Sequence, residues 1–184
     1  MAEQTFTSGQ ILTAAQMTTL QTNIGLCFVS STTVGNAVTV APIANCFSAT
    51  YDNYRIIYEG GTGGTVALSV QMGTTAGAIY SYAAVYQQYN ATTPLGVGAV
   101  GNTGWANVGR SSGTGNSLEC EIYRPFLATN TGIKWASTDY NASTGFVLSG
   151  AGMLSDTVSY TGFQIVPASG TITGGTVTVY GYRK

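Results

Sequence analysis

Histidine does not occur in this chain, and charge is nearly as scarce. The 184 residues carry 6 Lys and Arg and 7 Asp and Glu, 7% of the total, where an average soluble domain carries about 25%. Proton transfer, metal ligation and phosphate binding draw mainly on these side chains. Without histidine a Ser-His-Asp triad is excluded outright. A Ser–Lys dyad would have to use Lys134 or Lys184, and nothing near either marks a nucleophile. The composition therefore points to a structural or binding protein, not an enzyme, with no cofactor and no metal site. The net charge of −1 offers no basic stripe for nucleic acid and no polybasic membrane anchor. No apolar run approaches the roughly 18 residues of a membrane span. So weak a charge also gives little colloidal repulsion, which favours a protein that lives inside an assembly.

Cysteine is sparse as well. Cys27, Cys46 and Cys120 are odd in number and share no C-x-x-C spacing. At the start of the chain Glu3 stands where a signal peptide would be basic, and no apolar segment follows. Both features fit synthesis in a reducing cytoplasm with free, buried thiols. The glycosylation-like triplets at Asn90 and Asn141 are then chance matches.

Glycine and tyrosine are abundant, at 25 and 12 residues, and the chain divides into residues 1–25 and 26–184. The first part carries a complete helix-start signal. Thr13 and Gln16 form a capping box, and Leu12 and Met17 a hydrophobic staple across it. Met17, Leu20 and Ile24 repeat at helical spacing, with Gly25 placed for a left-handed cap. A helix of about three turns is marginal alone in water, so its apolar stripe must dock, either on its own domain or on a partner. Leu12, Met17, Leu20 and Ile24 are the expected attachment or oligomerisation residues.

From residue 26 onward the pattern is β. Strict alternation over 54–59, 65–72 and 117–123 puts Val66, Leu68, Val70 and Met72 on one face, and Leu118, Cys120 and Ile122 on another inward face. Further strands are expected near 26–31, 33–40, 80–89, 133–137, 146–150, 160–166 and 176–182. The glycine cluster at 60–64 reads as a hairpin turn, and 94–116 as an irregular surface loop region. Eight to ten short strands separated by Gly, Asn and Thr turns predict an antiparallel, jelly-roll-like β-sandwich preceded by one short N-terminal α-helix.

Several chemical patterns fail on context. Gly96, Gly98 and Gly101 spell G-x-G-x-x-G, but no helix can open after them to meet a pyrophosphate. Glu119 and Glu121 share one strand face opposite apolar residues, which reads as a solvated side rather than a glycosidase pair. Tyrosine remains. Tyr80, Tyr82, Tyr86 and Tyr89, with Gln87, Gln88 and Asn90, form an aromatic–amide stretch, and Trp105 follows in the glycine-rich region. Such groups suit sugar faces and protein interfaces. Tyr80, Tyr82 and Trp105 are the candidates for glycan or partner recognition. Asp52 and Asn53 are turn formers at the head of the strand at 54–59. With charge so scarce, Asp52 and Arg55 are expected to be buried and bonded, and Asp139 to be an ordinary loop residue.

Three segments also resemble a known family. Phe6 to Met17, including Gly9, Leu12, Thr13, Ala14 and Ala15, resembles the leader of many tailed-bacteriophage fibre and minor structural proteins. Phe47, Ser48, Tyr51, Asp52, Asn53, Tyr54 and Ile56 resemble a motif that follows it there, and Gly174 to Tyr182 is similar to their closing strand. The resemblance implies a virion component assembled in the host bacterial cytoplasm. Such a component is a small homotrimeric β-sandwich tied to the capsid or tail by its N-terminal segment, as a capsid decoration, head fibre or short tail fibre. It implies no catalytic residue. A carbohydrate-binding module that recognises host-surface glycan is the alternative.

Overall fold

The computed structural model describes residues 8, 9, 11, 13–16, 25–74 and 77–184. Residues 14–16 form one helical turn. The Thr13 amide donates to Gln16 Oε1 at 3.0 Å and the Gln16 amide to Thr13 Oγ1 at 3.2 Å, so both bonds of the capping box are made. The expected continuation of that helix, with Leu12, Met17, Leu20 and Ile24, lies outside the described residues.

The rest of the described chain is mainly β. Its strands are β1 (Leu26–Thr33), β2 (Ala41–Ile43), β3 (Asn53–Glu59), β4 (Thr62–Gly63), β5 (Val66–Met72), β6 (Tyr80–Gln88) and β7 (Leu95–Asn102). They continue with β8 (Trp105–Ser111), β9 (Asn116–Tyr123), β10 (Thr131–Asp139), β11 (Phe146–Leu154), β12 (Phe163–Pro167), β13 (Ile172–Thr173) and β14 (Thr176–Tyr182). An eight-stranded sheet runs β1-β14-β3-β9-β10-β11-β6-β7, a four-stranded sheet runs β2-β12-β5-β8, and β13 pairs with β4. The paired strands are antiparallel throughout.

Alternation builds the core. In β3, Tyr54, Ile56 and Tyr58 are buried, and in β9, Leu118, Cys120 and Ile122. Leu68, Val70 and Met72 of β5 and Phe163 and Ile165 of β12 join them in a single cluster. Each fully buried Ile or Leu contributes about 1.5–3 kcal/mol by leaving water. Two glycines of β11 make room for indoles. A Cβ on Gly150 would lie 2.3 Å from Trp135 Cζ2, and one on Gly152 would lie 2.8 Å from Trp105 Cδ1. Trp105 starts β8 in the small sheet, so its ring locks the two sheets together at β11.

Three expectations are corrected. Residues 94–116 are not a loop but hold β7 and β8. Glycine hides the strand pattern in β7, yet a Cβ on Gly98 would lie 2.9 Å from the Tyr82 carbonyl oxygen, so the close approach of β6 requires its absence. Residues 34–40 leave the strand ladder apart from one bridge from Val38 to Ile172. The 60–64 cluster is no hairpin, because it carries the chain from β3 in the large sheet to β5 in the small one and pairs with β13 on the way.

Candidate attachment site

Two of the three segments that carry the family resemblance, 47–56 and 174–182, meet in one region beside Gly25. The Arg183 amide donates to the Gly25 carbonyl at 3.1 Å, so the segment 1–24 leads into the domain beside the closing strand. β14 is hydrogen-bonded to β1 on one side and to β3 on the other, with Gly181 opposite both Cys27 and Tyr54. Tyr51 lies over Gly181, where a Cβ would come within 2.3 Å of its ring. Only glycine in the closing strand admits the Tyr51 ring without displacement.

Aromatic stacking and a few polar bonds fix this corner. Phe47 packs on Tyr54 at 4.7 Å and on Phe163 of the small sheet at 5.7 Å, and Tyr51 meets Tyr54 edge-on at 5.9 Å. The Tyr54 hydroxyl donates to the Ser48 carbonyl at 3.0 Å and accepts from the Ser48 amide at 2.8 Å. The buried phenol is thereby satisfied while it closes the turn. Lys184 Nζ reaches Asp52 Oδ1 at 2.7 Å and donates to the Ala49 carbonyl at 3.2 Å.

The expected burial of Asp52 and Arg55 is corrected here. Asp52 has 41% of its side chain exposed and pairs with Lys184; Arg55 pairs with Glu119 at 2.7 Å. Both are surface pairs. The Asp52 contribution to the corner comes from its backbone, whose carbonyl accepts from the Arg124 amide at 2.7 Å. Asp139 is the buried acid, 1% exposed, with Oδ1 accepting from the Asn141 amide at 2.8 Å.

Next to the corner, a row of side chains crosses the outer face of the large sheet in register: Phe28, Tyr180, Arg55, Glu121, Lys134. Glu121 is its hub. The Tyr123 hydroxyl donates to Oε2 at 2.5 Å and the Tyr182 hydroxyl donates to Oε1. These two bonds, Tyr123 first, hold the Glu121 carboxyl below its ordinary value against the opposing effect of burial, and Arg55 and Lys134 add to them. Burial, and then the Glu121 carboxylate, push the Tyr123 phenol up to about 12. Phe28 is 64% exposed and packs edge-on against Tyr180 at 6.2 Å. Nothing in the sequence marked Glu121 as a hub, because the bond to Tyr182 spans 61 positions. The same face carries the exposed apolar side chains of Val85, Val147 and Met153. Among the described residues no group of three or more His, Cys, Asp or Glu is placed to hold a metal.

The chain matches no protein-family model and no curated protein sequence.

The tyrosine stretch is placed differently from expectation. Tyr80 and Tyr82 do share a face, but it is the inner one. Tyr80 and Trp105 are fully buried and meet edge-on at 5.1 Å, so neither ring presents a face to a ligand. The Tyr80 hydroxyl accepts from the Met72 amide at 2.9 Å, and burial pushes that phenol up to about 12. Tyr82 is half-buried, with its ring 6.3 Å from that of Trp135. The cause is the two strands that the glycines concealed: β7 pairs with β6 in the large sheet, and β8, paired with β5 in the small sheet, brings Trp105 against Tyr80.

Proposed function

We propose that this chain is a bacteriophage virion structural protein. It forms an exterior appendage or decoration held to the particle through residues 1–24, with the β domain projecting. The observation that carries this reading is the convergence at Gly25, the Phe47–Tyr54 corner and the closing strand. Segments that are far apart in the sequence, and that together resemble phage structural proteins, make one unit beside the point where the N-terminal segment joins. A leader that must transmit attachment to a rigid domain is best rooted in such a unit.

The domain is read as a jelly-roll β-sandwich. Setting aside the short β4–β13 pair and the strands β6, β7, β10 and β11 leaves eight strands, ordered β1-β14-β3-β9 and β2-β12-β5-β8. Counted along the chain, the first lies beside the eighth, third and sixth, and the second beside the seventh, fourth and fifth. That interleaving supports two nested Greek keys. The assembly is read as a homotrimer, and the exposed Phe28, Val85, Val147 and Met153 on one sheet face support burial of that face against neighbours.

Complementation tests the reading. A phage lacking this gene is supplied with the full chain or with residues 25–184, and purified particles are probed for the protein. Both forms should fold, with matching β-type circular dichroism, and only the full chain should enter particles. Equal incorporation of the truncated form, or absence of the full chain from particles, overturns the proposal.

A further inference from the structure

The large sheet runs past the small one. β8 is the edge of the four-stranded sheet, whereas the inner face of the other sheet continues across β11 and β6 to β7. Under that overhang a cleft of about 270 Å³ opens, lined by Asn107 and Arg110 from β8 and by Tyr86, Val97, Phe146 and Leu148 from the large sheet. Its volume lies just below the usual range for ligand pockets, about 300–1,000 Å³, which suits one small ring with the remainder of a ligand outside.

Two features of β8 are built toward this cleft. The first is a bulge. Leu68 of β5 pairs with Gly109 while Val70 pairs with Trp105, so the intervening residues of β8 are looped out. Asn107 there adopts φ +57°, the left-handed conformation that asparagine takes more readily than other non-glycine residues and that accompanies a bulge. Its amide Nδ2 reaches the Tyr82 hydroxyl at 3.4 Å. The second is Arg110. Its guanidinium lies 4.2 Å over the Phe146 ring, which in turn sits 5.5 Å from the Tyr86 ring.

No carboxylate lines the cleft. Among the described residues Arg110 has no acid within ion-pairing distance, whereas Arg55 and Lys184 each have one. A half-buried guanidinium beside apolar groups with no counter-ion is electrostatically incomplete. Stacked on Phe146, its planar fork keeps a free edge for a bidentate acid. The flanking groups are the Asn107 amide, the Tyr86 phenol and the Phe146 ring, the kind of set that recognises hydroxyls and the faces of sugar rings.

We propose that this cleft binds the acidic residue of a saccharide. The sugar carboxylate meets Arg110, the ring lies against Tyr86 and Phe146, and Asn107 takes a hydroxyl. The site is independent of where the protein is assembled.

The test is an NMR titration of the full chain with methyl glucuronide, N-acetylneuraminic acid, methyl glucoside and acetate. The acidic sugars should shift resonances of β8, Tyr86 and Phe146, and at least one should bind about tenfold or more tighter than both methyl glucoside and acetate. Arg110→Gln should erase the preference for acid. Asn107→Gly, which retains the left-handed backbone, should weaken binding while preserving it. Arg55→Gln, on the opposite face of the sheet, should change neither. Equal binding of methyl glucoside or of acetate, or no shifts in the cleft, overturns the proposal. The ligand comparison on the unaltered protein decides this even if a substitution disturbs the fold.

Discussion

Glu121 accepts hydrogen bonds from phenols on two strands of the large sheet, its own and β14, and this gives the outer face an acid limb. Its carboxyl is held below the ordinary value of 4.5, so the stabilisation is fully present above that value. It is lost as the pH falls below 4.5 and through the lowered folded value. Thermal melts taken from neutral pH downward should show this loss, and Glu121→Gln should flatten it. Superimposable acid limbs would contradict the role given to Glu121. Two other acids offer a sharper contrast. Asp52→Ala removes an exposed ion pair and should change stability by about 0–1 kcal/mol. Asp139→Ala leaves the Asn141 amide without its acceptor at a buried site and should cost about 1–3 kcal/mol. Urea unfolding of the two variants checks the order, and equal effects would contradict the burial assignments. Sequence context suggested the reverse order. Turn chemistry identified 52–53 as a corner, but it carries no information about which acid a distant β-strand covers.

At the scale of elements, the alternating strands were legible because each has a buried face and a solvated one; β3, β5, β9 and β14 fall where period-two alternation places them. β7 was illegible. Gly96, Gly98 and Gly101 occupy positions where side chains would otherwise declare a face, and without that signal Trp105 looked like a loop aromatic, and Tyr80, on its expected strand, like a recognition residue rather than core. The glycines of the large sheet are themselves unequal. Gly150→Ala would drive a methyl group into Trp135 and Ala84 and should cost about 1–3 kcal/mol by overpacking, with a shift in tryptophan fluorescence. Gly96→Ala meets nothing within 4 Å and should be neutral or stabilise by about 0.4–1 kcal/mol. Denaturant melts of the pair decide it, and equal losses would contradict the packing described at β11. Of the helix expected in residues 13–24, only the capping box and one turn at 14–16 fall within the described residues, and the box forms as its sequence dictates. The contacts of the corner beside Gly25, from Gly25 to Arg183 and from Tyr51 to Gly181, join positions too far apart for local patterning to reveal.

For the whole molecule, one core cluster contributed by the eight-stranded and four-stranded sheets predicts one cooperative unfolding transition. Cys46 and Cys120 are buried free thiols, and burial pushes both up to about 12; Cys27 is half-buried. Reducing agent should therefore leave the melting temperature unchanged, and a drop on reduction would reveal a cross-link at odds with these positions. The composition was the most informative whole-chain signal. Of its thirteen charges, Arg55 with Glu119 and Lys184 with Asp52 form surface pairs, and Glu121 is bonded by two phenols. The most direct measurement of the proposed function is quantitative mass spectrometry of purified virions of the phage to which the proposal assigns this chain. The account predicts that the protein is present after stringent purification, at a fixed copy number per particle divisible by three. Its absence from the particle, with the protein recovered only from the soluble lysate, would contradict the claim.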